Sequence, residues 1–218
     1  MNKSTLVVSK PGILLLGLFV TLFSGMSSSA QLATTSDSVF ETEVITLLGK
    51  KSRSLPEFQL MDHNQQILDN ERLKDKWSLM FFGYTNCPDV CPNTLSIMDN
   101  IVNEIASKER DAIKVYFVSV DPERDSLESL AKYMSYFNAD FTAATADQDK
   151  LKVLTSALGI SHKIKKKSDT DSAYSVSHSG YVVLIDPAVK YSGLFFSEPG
   201  NVQAIARDMT SLVKNNQF

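Results

Sequence analysis

Two cysteines and three histidines are the side chains here that could hold a soft metal or pass electrons: Cys87, Cys91, His63, His162 and His178. The cysteines stand four residues apart in Gly83-Tyr84-Thr85-Asn86-Cys87-Pro88-Asp89-Val90-Cys91-Pro92. Three chemistries compete for that spacing. A structural disulfide fits poorly, because closing so short a loop removes little entropy from the unfolded chain. A redox couple fits better. A helix N-terminus stabilises a thiolate, and residues i and i+4 of a helix lie about 6 Å apart along its axis, near the upper limit for a disulfide. A metal clamp also fits, since two thiolates on one side of a turn can both reach an ion at roughly 2.3 Å. Two sulfurs and an imidazole suit Cu(I), and a redox-capable pair can also hold Cu(II). The cysteines alone do not separate the last two chemistries. A third ligand would.

The elements around the pair decide what could supply it. Residues 77–82 are a compact apolar run with the length of a buried strand. The cysteine loop follows, and then Leu95, Met98, Val102 and Ile105 recur at helical spacing, with Pro92 tolerable in a first turn. A second strand is expected at 115–120, ended by Asp121-Pro122. Asp125 with Glu128 reads as an N-cap and capping box for a helix burying Leu127, Leu130, Met134 and Phe137. A short strand at 141–144, a helix at 147–158 capped by Gly159, two strands at 181–185 and 191–196, and a closing helix through Val202, Ile205, Met209 and Leu212 complete the pattern. Ahead of them, 58–61 and 67–68 flank a polar turn and suggest a β-hairpin. Strands alternating with helices define an α/β class. A cysteine pair where the first long strand meets a helix narrows it, by analogy, to a thioredoxin-like fold with an N-terminal β-hairpin extension and a late β-hairpin insertion.

Within that frame the histidines differ. His63 lies in the turn at 62–65, and His162 opens the polar segment 161–173, a loop or hairpin whose Lys163, Lys165, Lys166 and Lys167 read as a solvated charge run. His178 stands three residues before the apolar run at 181–185. In thioredoxin-like folds the loop before that strand passes the cysteines, and thiol oxidoreductases of this fold place a proline there. No proline occurs between Ser175 and Asp186. His178 therefore reads as a ligand.

The ends and the charge set the setting. Lys3 and Lys10 precede an apolar run at 13–23, no acidic residue occurs before Ala30, and Ser27, Ser28, Ser29 and Ala30 follow the run. That is the pattern of a secretory signal peptide or a short membrane anchor over residues 1–30. Residues 31–54 then read as a Ser/Thr-rich tether, and 55–218 as the domain. Either form of the N-terminus puts the remaining chain outside the cytoplasm. A net charge of −3 argues against a nucleic-acid partner. Two cysteines are too few for a disulfide scaffold, so folding rests on an apolar core.

Four segments together resemble one family, the Sco (SenC) proteins, copper-binding assembly factors of cytochrome c oxidase. They are Phe58 to His63, Phe81 to Pro92 with both cysteines, Val118-Ser119-Val120-Asp121-Pro122-Glu123-Arg124-Asp125, and Val176-Ser177-His178-Ser179. The resemblance spans about residues 55–213. It implies a domain in the periplasm, free or anchored at the inner membrane, copper held by Cys87, Cys91 and His178, and delivery of copper to, or reduction of, the cysteines at the binuclear copper site of oxidase subunit II. A periplasmic copper donor or thiol reductant is then a further expected partner. The alternative function is a thiol–disulfide reductase or redox sensor using Cys87 and Cys91. The family usually carries Asp before the ligand histidine, whereas Ser177 stands here. That change bears on the histidine's outer-shell hydrogen bonding or on docking. The acidic and basic residues at 121–125 read more simply as turn and helix-start chemistry.

Overall fold

The computed structural model describes residues 41–165 and 174–215. The expected leader at 1–30, the first part of the tether, and Lys166 and Lys167 lie outside the described residues. The elements in chain order are β1 (Thr46–Leu47), β2 (Arg53–Ser54), β3 (Gln59–Asp62), β4 (Ile67–Asp69), α1 (Asn70–Leu73), β5 (Trp77–Gly83), α2 (Val90–Glu104), α3 (Ser107–Arg110) and β6 (Ile113–Ser119). They continue with α4 (Leu127–Met134), β7 (Thr142–Thr145), α5 (Gln148–Leu158), β8 (His162–Lys165), β9 (Ser175–His178), β10 (Tyr181–Ile185), β11 (Lys190–Phe196) and α6 (Val202–Asn215).

The main sheet runs β1-β11-β10-β5-β6-β7-β3-β4, with β2 also on β11. Its centre, β5 with β6 and β6 with β7, is parallel, and the flanking pairs are antiparallel. Every residue of β5 is buried, and all but Lys114 of β6. Strands covered on both faces need continuous apolar runs rather than alternation, which is why 77–82 carries so strong a signal. On α2, Cys91, Leu95, Met98, Ile101 and Val102 are buried at helical spacing, and the helix packs against α6. Pro92 occupies the third helical position, where its missing N–H would have had no partner inside the helix. The hairpin β3–β4 forms as expected and joins the sheet through β7. Gly159 ends α5 in the left-handed region at φ 71°, where a side chain would be strained. Mixed strands, flanking helices and a cysteine pair after the first long central strand define a thioredoxin-like fold.

Three details differ from the expectation. Residues 41–54, assigned above to the tether, add β1 and β2 to the sheet edge. There the Asp208 carboxylate on α6 accepts the backbone N–H groups of Glu43, Val44 and Ile45 at 2.8–3.0 Å. The brief apolar patch at 44–48 and the polar residues around it are too short to show a periodicity that would reveal a sheet-edge role. Secondly, the N-cap of α4 is Ser126, whose Oγ accepts the Ser129 N–H at 3.1 Å, and not Asp125. Asp125 is pulled inward and buried. Thirdly, the hairpin allowed for at 161–173 forms as β8–β9 but reaches on to His178, and it stands as a two-stranded sheet separate from the main one.

Candidate metal centre

The end of β5 turns at Gly83 and Tyr84 into the cysteine loop. Gly83 is required there by space: a Cβ on it would lie 2.7 Å from Cys91 Sγ and 2.8 Å from Phe117 Cε2. The buried Cys91 sulfur rests directly above the strand end, in room that only a glycine leaves. Below the loop, Asp125 binds it to the β6–α4 connection. Its carboxylate accepts Thr85 N–H at 2.9 Å, Thr85 Oγ1–H at 2.5 Å and Ser119 Oγ–H at 2.5 Å. The sequence does not reveal these bonds, because an acidic residue just before a helix has the same appearance as a cap.

Cys87 and Cys91 are both free thiols, the first half-buried and the second fully buried. The Cys91 N–H points at Cys87 Sγ, 3.4 Å away, so the more accessible sulfur sits in the positive end of α2. Burial, the largest effect, pushes the Cys91 thiol far up, with Cys87 and Asp125 adding to it. A lone thiolate at that position is costly, and a cation bound to the sulfur would offset the cost.

His178 ends β9, and its Nε2 lies 3.4 Å from Cys91 Sγ. Its other nitrogen, Nδ1, is 3.0 Å from the Ser179 carbonyl oxygen. A carbonyl only accepts, so Nδ1 carries the proton and Nε2 turns its lone pair to the sulfur. Burial lowers the affinity of His178 for a second proton, with the Ser179 bond opposing it. The ring is thus kept neutral, the form that binds metals. The rings of Phe81 and Tyr84 meet it edge-on with centroids 5.8 and 5.9 Å away. Because Ser179 supplies the orienting contact through its main chain, the ring's tautomer does not depend on the side chain at position 177.

The donor atoms of Cys87, Cys91 and His178 all lie within 4.8 Å of one another, and among the described residues no other group of histidine, cysteine and acidic side chains converges in this way. An ion about 2.3 Å from two sulfurs keeps them no more than ~4.6 Å apart, so closing the set on a metal needs only sub-ångström movement. Two thiolates and a neutral imidazole fit a soft, low-coordinate ion.

The other histidines have structural partners. His63 Nδ1 accepts the Ala143 N–H at 3.0 Å, tying β3 to β7. His162 faces His178 across the β8–β9 pair, and its Nε2 donates to Gln148 Oε1 at 3.3 Å. Residues 121–125 do more than punctuate a turn. The buried Asp121 pairs with Arg124 at 2.5 Å and accepts the Tyr174 hydroxyl at 2.5 Å.

A thioredoxin-like fold carrying two cysteines at a strand–helix junction and a histidine on a late strand defines a class of dithiol proteins with a built-in third donor. The SCO1/SenC family profile matches residues 48–214, and the chain belongs to that family. An SCO2-like protein of Rickettsia conorii is 33% identical over 154 residues, 70% of this chain and 75% of its own length. The copper-bound structure of Bradyrhizobium japonicum ScoI superposes with a TM-score of 0.66 at 28% identity, covering 73% of this chain and 99% of that one. BsSco, described as a member of the Sco family of cytochrome c oxidase assembly proteins and as having a disulfide switch, superposes with a TM-score of 0.60. It is 19% identical, covering 80% of this chain and 98% of its own, and supports the fold.

Proposed function

We propose that this protein is a copper metallochaperone, which holds one copper ion on Cys87, Cys91 and His178 and passes it on by ligand exchange. The observation that carries this reading is the convergence of the three donors, with the neutral imidazole's lone pair already aimed at the buried sulfur. The copper-bound ScoI supports the choice of metal, as does the donor chemistry. Cys87, the more accessible sulfur, is the donor an incoming thiolate displaces first, while Cys91 and His178 retain the ion until the new bonds form. The recipient we infer is the binuclear copper site of cytochrome c oxidase subunit II, on the strength of family membership and the assembly role attributed to the Sco family. A periplasmic copper donor or thiol reductant would act upstream. The signal-like N-terminus supports a periplasmic domain, freed or anchored at the inner membrane, and N-terminal sequencing of the protein from cell fractions tests this.

The test is titration of the reduced protein with Cu(I) and Cu(II). A 1:1 complex with sulfur-to-copper charge-transfer bands is expected for Cu(II), and His178→Ala should lower affinity by at least about tenfold. Tight binding unaffected by His178→Ala would remove the three-ligand reading.

A second reading rests on the accessible Cys87 at the helix N-terminus. As a reductase, the Cys87 thiolate would attack a partner's disulfide and release one partner thiolate. Cys91 would then displace the second and leave a Cys87–Cys91 disulfide. The burial that holds the Cys91 thiol protonated slows that second step, since the thiolate is the nucleophile. The copper reading is favoured because the His178 lone pair faces Cys91 Sγ, an arrangement that dithiol exchange does not need.

A further inference from the structure

The third donor rides on an element that the main sheet does not hold. β8 and β9 pair only with each other, and an isolated two-stranded hairpin is at best marginally stable. The buried Val176 holds the strand to the core, but something outside the pair must also fix where the His178 ring sits. The structure assigns this to Asp121 and Arg124, acting as positioning residues that clasp the histidine strand onto the cysteine loop. The inference rests on the three-ligand reading and says what enforces it.

The contacts form a closed set. Arg124 Nε donates to Asp121 Oδ2 at 2.5 Å, and its Nη1 donates to the Tyr174 carbonyl at 3.0 Å, one residue before β9 begins. The Tyr174 hydroxyl returns to Asp121 Oδ1 at 2.5 Å. The guanidinium also lies over two rings, 3.7 Å from the centroid of Tyr174 and 5.6 Å from that of Tyr84. Tyr174 leads into the histidine strand. Tyr84 leads into the cysteine loop and meets the His178 ring edge-on. One cation thus grips both sides of the site, and Asp121, buried at 0% exposure, fixes the cation. Arg124 is only 16% exposed, with Nη2 buried and without a hydrogen-bond partner. Keeping a guanidinium so enclosed is costly, which a mere turn residue would not require. A planar group that donates in two directions and stacks on two rings cannot be replaced by lysine.

The test is a double-mutant cycle. Copper affinity is measured for the reduced protein, Arg124→Met, His178→Ala and the double variant, with Arg124→Lys and Tyr174→Phe as milder changes. Arg124→Met should weaken binding roughly tenfold to a hundredfold when His178 is present and less than about twofold when it is absent, because its effect passes through the imidazole. Tyr174→Phe and Arg124→Lys should give intermediate losses. In the metal-free protein, the His178 ring-proton resonances, shifted by the Phe81 and Tyr84 rings, should move toward unstructured values in Arg124→Met. Equal losses with and without His178, or unmoved His178 resonances, would overturn the inference. If Arg124→Met fails to fold, the same two readouts on Tyr174→Phe and Arg124→Lys decide it. If the parent protein binds copper no better than His178→Ala, the three-ligand reading fails, and the metal-free resonances still test the clasp.

Discussion

The two cysteines and the histidine reach the site by unlike routes. The sulfurs belong to the interior: β5 is buried along its whole length, Cys91 is at 0% exposure, and Asp125 binds the loop with two hydrogen bonds from Thr85 and the end of β6 with a third from Ser119. The imidazole belongs to a hairpin that no backbone pairing joins to the main sheet: Tyr174 and Val176 pack into the core, and side-chain hydrogen bonds link Arg124 and Asp121 with Tyr174, and Gln148 with His162. A metal site built this way has a fixed half and an adjustable half. That suits a carrier, which must bind an ion and then let it go, better than a protein that keeps its metal permanently. Local openings cost least where an element has few buried contacts, so once an incoming thiolate has displaced Cys87, His178 should let go before the buried Cys91.

The comparison can be broken most forcefully from the fixed side. Asp125→Ala leaves Ser119 Oγ and both Thr85 donors without their acceptor, and should cost about 3 kcal/mol of global stability in urea unfolding. Gly83→Ala should cost about 2 kcal/mol, because its methyl must displace the Cys91 sulfur or the Phe117 ring. It should also weaken copper binding even in the His178→Ala background, the reverse of the pattern expected for Arg124. On the adjustable side, Gln148→Ala removes a tie to His162 and should change global stability by less than about 1 kcal/mol. Its effect should appear in hydrogen exchange, with the amides of Ile164 and Val176 exchanging faster while those of β5 and β6 do not change. If the Gln148 and Asp125 variants destabilised the molecule equally, the two halves would not be distinct.

Much of this was legible without coordinates. Residues 77–82 read as a buried strand because parallel central strands need unbroken apolar runs. Gly159 read as a cap because a helix commonly ends in a left-handed residue. The cysteines could be placed at the head of a helix from the spacing of Leu95, Met98 and Val102 alone. Asp125 was misread as the cap of α4 because its spacing to Glu128 is that of a capping box. Spacing cannot show that Ser126 would take the cap and free the carboxylate to turn inward. The edge strands β1 and β2 were illegible for a similar reason: both are held by pairing with the distant β11, and Asp208, more than 150 residues away, fixes the backbone just before β1.

The sequence by itself determined the donors and half of their arrangement, because four residues at a helix start fix two sulfurs near one another whatever the rest of the chain does. It also determined the core strands, whose apolar runs allow only burial. Tertiary structure alone decided that the third donor would meet them. The separation of 87 positions from Cys91 to His178 sets no distance, and the meeting depends on a hairpin pressed against the cysteine loop by contacts between side chains remote in the chain. It also decided the imidazole's tautomer, since only the folded backbone brings the Ser179 carbonyl to Nδ1 and leaves Nε2 facing the sulfur.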